Sequence, residues 1–197
     1  MANPIICAEL TGAIDNSCIR SFPKKYLQEA VIVNFNDIDK EASVVGGVGS
    51  LNCDYTVQMV LKDGKKGVKV RLPDTGNSIK GYTNKSKAEN GWVQYLHQVQ
   101  ILLLGASAEA KCTMDKLDHG LYAVALQQSN GTVEIFGYDE GLSTADYTSD
   151  ITVGGGGNLV VLQSSEDAQE SMLPLIYKPA ELGDANADFN EQFEAAP

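Results

Sequence analysis

Polar and apolar residues alternate with period two through GWVQYLHQVQILLLG, residues 91–105. One face carries Val93, Tyr95, His97, Val99, Ile101 and Leu103; the other carries Trp92, Gln94, Leu96, Gln98, Gln100 and Leu102. Strand side chains point alternately to opposite faces, so the segment predicts a long strand buried mainly on one side. Three glutamines on the second face argue against a buried helix. Next, Ser107 offers a helix N-cap, Glu109 suits the first turn and Gly120 supplies a residue tolerant of the C′ conformation. Ala110, Met114 and Leu117 give that helix one apolar face. Leu121–Gln128 and Gly131–Phe136 then predict a hairpin across Ser129-Asn130-Gly131, where Asn-Gly accepts the positive φ angles of a type I′ turn. The polar turn Gly137-Tyr138-Asp139-Glu140-Gly141-Leu142 follows.

Upstream, Ala30–Phe35 reads as a short apolar strand ending in the turn Asn36-Asp37-Ile38-Asp39. Val44–Gly49 is glycine-rich and turned. Tyr55, Val57, Met59 and Leu61 alternate with Thr56, Gln58, Val60 and Lys62, Val68, Val70 and Leu72 alternate with Lys69 and Arg71, and Asp63-Gly64 between the two runs predicts a second hairpin. Leu72–Asn90 is too weakly patterned for a strand, and a loop of that length in a compact domain is usually functional or mobile. Asn158–Gln163 is a last strand after Gly154–Gly157. Together these elements predict a mainly β protein, a sandwich or barrel of antiparallel sheets with one short flanking helix. Residues 1–28 form an irregular arm, 29–176 the β-rich domain and 177–197 an acidic tail. No internal repeat is present.

The chain has 197 residues, 43% of them hydrophobic, enough for one sizeable core or two small ones. A formal net charge of −11 disfavours clamping nucleic acid, because phosphate binding needs Lys and Arg to displace counterions. The N-terminus lacks a basic n-region and no stretch approaches the roughly 20 apolar residues of a membrane span, which predicts neither signal peptide nor membrane partner. Cys7, Cys18, Cys53 and Cys112 form no CxxC pair and are expected as reduced thiols, with a Cys7–Cys18 bridge left open.

Candidate chemistry is sparse. The four glycines Gly154–Gly157 lead into a strand with no lysine close behind, unlike a phosphate loop. Asp115, Asp118 and His119 fit a solvated helix face with a cation at its C-terminal end. His97 fits a packed, hydrogen-bonded histidine, and Asp139-Glu140 fit solvated turn acids. No catalytic, cofactor or metal site is expected, and the chain is not expected to be an enzyme. Lys62, Lys65, Lys66, Lys69 and Arg71 cluster within ten residues. They either block edge pairing on an exposed hairpin or contact an acidic surface, such as the C-terminal segment of a neighbouring copy.

The cysteine-containing early loop, the Ala30–Phe35 strand with Asn36-Asp37-Ile38, the long Trp92–Leu104 strand and the short helix, in that order, resemble the tail tube proteins of bacteriophages. The stretches LYAVALQQSNGTVEIFGYDEGL and GGGGNLVVLQSSEDAQESMLP are similar to those of phages infecting gut Bacteroidetes-type hosts. The resemblance implies a virion protein whose copies form a ring, usually a hexamer, with sheets joined into an inner barrel. Rings stack into a tube through which DNA passes, partnered by other tail proteins and assembled in the host cytoplasm. It implies that residues 72–90 or the Lys65-Lys66 turn meet the adjoining ring, and that Gly137–Leu142 is structural. The acidic segment after Ile176 departs from the family. A carboxylate-lined bore would keep DNA from sticking, and glutamine-rich strand faces suit a wet lumen. Alternatives are a tail terminator, a connector ring or a head-surface protein; a glycan-binding sandwich is disfavoured by a single tryptophan and scattered tyrosines.

Overall fold

The structure, a computed structural model, describes residues 26–46, 55–71, 79–87, 91–104, 107–128, 130–145, 148–149 and 157–178. The early cysteines, the tetraglycine up to Gly156 and the acidic tail beyond Lys178 lie outside these residues. The described chain is mainly β. In order it forms β1 (Tyr26–Asn34), a 3-10 turn (Phe35–Asp37), β2 (Ile38–Val45), β3 (Thr56–Leu61), β4 (Val68–Arg71), β5 (Ile79–Lys87) and β6 (Val93–Leu104). The helix α1 (Ala108–Asp118) follows, then β7 (Tyr122–Gln128), β8 (Val133–Phe136), β9 (Ser143–Thr144), β10 (Thr148–Ser149), β11 (Gly157–Gln163) and β12 (Leu175–Tyr177). Residues 26–28 and Tyr177, which the sequence leaves outside the domain, are thus strand residues.

Seven strands make the larger sheet, in the order β2-β3-β12-β8-β7-β1-β4, with β12 parallel to β3 and every other pair antiparallel. Two connections show that this sheet curls until its ends approach. The three-residue 3-10 turn links β1, next to one end, with β2 at the other; residues 62–67 link β3 back to β4. Hydrogen bonds fix the corner: Phe35 N–H donates to the Leu121 carbonyl at 2.9 Å and Lys62 N–H to that of Asp37 at 2.8 Å. The result is an open barrel. Its interior is one cluster that includes Val31, Val33, Val57, Met59, Ala125, Ile135 and Tyr177.

The second sheet runs β10-β11-β6-β5, with β9 also paired to β11. Its inner face, Ile79, Val99, Ile101, Val160 and Leu162, packs on the outside of the barrel against Ala30, Ile32, Val124, Leu126 and Phe136. Burying apolar surface from both sheets at once stabilises this two-layer arrangement. The helix adds Leu117 to the same core, and its last carbonyls are capped from the sheets: Tyr122 Oη donates to Lys116 O at 2.7 Å, Thr144 Oγ1 to Leu117 O at 2.9 Å. Ser107 caps the other end by accepting from Ala110 N–H at 3.2 Å, as its position predicts.

Four expectations need correction. Residues 79–87 form a nine-residue strand, not a loop. Its inward positions include Gly81 and Thr83, so hydrophobic period is weak, and the ladder with β6, from Ile79↔Ile101 to Lys87↔Val93, holds it instead. A Cβ on Gly81 would sit 2.6 Å from Phe136 Cζ and 2.9 Å from Leu126 Cδ1, so the two sheets touch there only because the side chain is missing. Gly81→Val is expected to destabilise by about 2 kcal/mol through overpacking, read as a shifted urea midpoint. An unchanged midpoint would mean the sheets do not meet at this point.

β3 and β4 are not a hairpin. Asp63-Gly64 does reverse the chain, with Lys65 N–H bonded to Lys62 O at 3.0 Å, but β3 lies between β2 and β12 while β4 pairs with β1. The β7–β8 hairpin forms, yet no described non-glycine residue has positive φ. In this turn Gly131 has positive φ, at 88°, and Asn130 does not; the turn is closed by Gly131 N–H to Gln128 O at 2.9 Å, so a glycine bulge replaces type I′ geometry. Gly120 does not take the left-handed conformation either; a Cβ there would collide with the Tyr122 ring.

Candidate functional site

The outward face of the second sheet is set by register. Pairing of Tyr82 with Gln98, Lys80 with Gln100 and Gln100 with Val161 places Lys80, Tyr82, Asn84 and Ser86 beside Gln94, Leu96, Gln98, Gln100 and Leu102, with Leu159, Val161 and Gln163 on β11. Lys80, Tyr82, Asn84 and Leu159 are exposed and the others half-buried. Side chains tie the face together: Gln98 donates an amide N–H to Gln163, and the Ser86 hydroxyl donates to Gln169. Lys80 is the one charged residue at these positions. No carboxylate stands at these positions.

This sheet has two lateral edges among the described residues. One is β5, paired with β6 alone; the other is the interrupted pair β9 and β10, both on β11. An edge strand offers unpaired backbone donors and acceptors, a template for another strand. Lys80, Lys85 and Lys87 along β5 are the kind of charge that discourages indiscriminate pairing.

The lysine cluster is divided by the fold. Lys62 Nζ donates to Asn36 O at 2.7 Å, and Lys65 Nζ lies 3.3 Å from Asp37 Oδ1, so both brace the 3-10 corner. Asn34 Nδ2 donates to the same Asp37 carboxylate at 2.9 Å, and with Lys65 it holds that carboxyl below its ordinary range. Lys66 is exposed on the turn, and Lys69 is half-buried on β4, opposite Val31. Arg71 stands opposite Glu29 in the backbone ladder at the end of the same strand.

A second polar arrangement lies inside, and sequence reasoning found only half of it. His97, on the inward face of β6, is 2% exposed; its Nδ1 accepts from Gly137 N–H at 3.2 Å and its ring stands edge-on to Phe136. Burial pushes its pKa down to about 4; the Met172 carbonyl pulls weakly the other way, too poorly placed to satisfy Nε2 by hydrogen-bond geometry. Glu170 is equally buried. Its carboxylate accepts from three successive backbone amides, Asp139 at 2.8 Å, Glu140 at 3.0 Å and Gly141 at 3.1 Å.

The Glu170 backbone pairs with Tyr95 of β6 in both directions, at 2.8 and 3.0 Å. One residue therefore joins the barrel's 137–141 turn to the second sheet. Burial raises the Glu170 pKa, and the three amides partly counter it. Lys40 closes the far side: it donates to the Tyr138 carbonyl, with Nζ 3.7 Å from the centre of the Tyr138 ring. Nothing in EDAQES marks Glu170 as different from its acidic neighbours.

The chemistry of this clasp is structural: the Glu170 carboxylate is spent on three backbone amides and His97 Nδ1 on Gly137, and only the buried Nε2 of His97 is left over. Asp115, Asp118 and His119 are exposed on α1, where the Asp115 carbonyl, 2.7 Å from His119 Nδ1, raises the imidazole pKa. Among the described residues no group of three His, Cys, Asp or Glu could hold a metal ion, and no helix is long and apolar enough to cross a membrane. Fold and site define a mainly β protein: an open barrel with a second, edge-exposed sheet laid on it. No family model matches the chain, and no match is found among curated proteins or solved structures.

Proposed function

We propose that the chain is a structural subunit of a bacteriophage tail tube, forming rings that stack into a conduit for the genome. The supporting observation is the second sheet: nine-residue β5 at one edge, β9 and β10 at the other, and an outer face of amide, small polar and apolar side chains with a single charge. Joining the β5 edge of one copy to the β9–β10 edge of the next is a head-to-tail contact, and such contacts close into rings when the rotation per copy permits. Sheets so joined line a central bore with their outer faces. The role needs no catalytic residue, cofactor or metal, and its partners are further copies, other tail proteins and DNA in transit.

Electron microscopy of the purified protein, with mass by light scattering at low and high salt, tests this directly. Rings or tubes with a bore are expected; a monomer at every concentration and salt counts against it. Stacking between rings is expected to involve Lys66, which is exposed on the turn. Lys66→Glu should shorten tubes at low salt while leaving rings intact, measured as the length distribution in micrographs. Unchanged lengths would remove this turn from the ring–ring contact.

A further inference from the structure

We infer that the outer face of the second sheet is an amide-lined, nearly uncharged wall that lets a polyanion pass without attracting or repelling it. This rests on the proposed tube, and it assigns the bore a chemistry that the chain's overall charge does not foretell. With a net charge of −11, a random surface would be acidic. Yet register puts Gln94, Gln98, Gln100, Gln163 and Asn84 together with the uncharged Tyr82, Ser86, Leu96, Leu102, Leu159 and Val161, leaving Lys80 as the single charge. The described carboxylates lie elsewhere, on β1, β2, β8 and α1 and in the turns and loops.

Physical chemistry separates the three walls that are possible. A lysine wall would neutralise phosphates, and each contact would add affinity and salt dependence. A carboxylate wall would raise the potential against entry of DNA, most strongly at low salt. Primary amides both donate and accept hydrogen bonds, so they hold water and contact phosphate or base edges with little preference. Transit along such a wall is insensitive to ionic strength. The bridge from Gln98 to Gln163 crosses from β6 to β11 and keeps these amides in place across strands.

The test uses assembled full-length protein and two duplex DNAs, a short linear fragment and a covalently closed circle, which cannot thread a tube. Wild-type tubes should retain neither at low salt. Gln94→Lys/Gln100→Lys tubes should retain the linear fragment only, with retention falling by about tenfold or more between about 50 and 200 mM salt. Equal retention of both DNAs would put the face on the outside and overturn the inference. Intact variant tubes that retain neither would also overturn it, since the face would then be covered. Wild-type protein that forms no ring or tube would overturn the tube itself, a result distinct from the other two.

Discussion

Glu170→Ala is expected to lower stability by about 3 kcal/mol, or about 6–12 °C in Tm for a chain of this size. The backbone amides of Asp139, Glu140 and Gly141 lose their acceptor at once. Each stripped donor costs roughly 1–3 kcal/mol, and recovery of the desolvation that burial imposes on the carboxylate offsets part of the sum. Glu170→Gln should fall between, because its amide keeps one oxygen but aims N–H groups at N–H groups. Added formate should restore part of the loss in the alanine variant by seating in the same three-amide nest. Urea midpoints with and without formate measure this; a shift under about 1 kcal/mol would show that water already satisfies the turn.

Acid should destabilise the protein through His97. In the folded state its pKa is about 4, against an ordinary 6.5. The unfolded chain therefore binds more protons between these values, and stability falls as pH drops from about 6.5 to about 4, then levels. The difference is worth about 3 kcal/mol. Protonation at Nδ1 would also turn a donor toward Gly137 N–H, which now donates there.

Glu170 acts with the opposite sign. Its raised folded pKa makes acidification favourable in the window just above 4.5, so it blunts the decline. His97→Phe should be less stable at neutral pH but lose the His97 slope between pH 6.5 and 4. Denaturant midpoints across that range decide: parallel curves for wild type and variant would assign the acid sensitivity to another group.

The residues that make this fold are legible to different degrees. β6 is plain, because a strand buried on one face writes its alternation directly into the chain, and the same alternation puts His97 on the packed face. The Ser107 cap is equally local. β5 was not legible: its inward positions include a glycine and a threonine, chosen by the approach of Phe136 rather than by hydrophobicity. The supposed β3–β4 hairpin failed for another reason. Asp63-Gly64 specifies a reversal but says nothing about which strands flank β3 once the sheet has curled.

Glu170 was hidden for the same cause at longer range. Its partners lie about thirty residues away in a turn, so only the tertiary structure distinguishes it from Glu166 or Asp167. The candidate lysines are visible as a cluster, while the part of Lys62 and Lys65 in bracing a corner is not. The outer face of the second sheet was half visible: the glutamines of β6 stood out, but their neighbours from β5 and β11 depend on pairing.

The insertion of β12 between β3 and β8 has a consequence for synthesis. Until Tyr177 has left the ribosome, the barrel is two separate pieces, β2-β3 and β8-β7-β1-β4, each with an open edge where β12 belongs. Nascent chains on one polysome would expose those edges to one another, which makes chaperone occupancy during translation a determinant of yield.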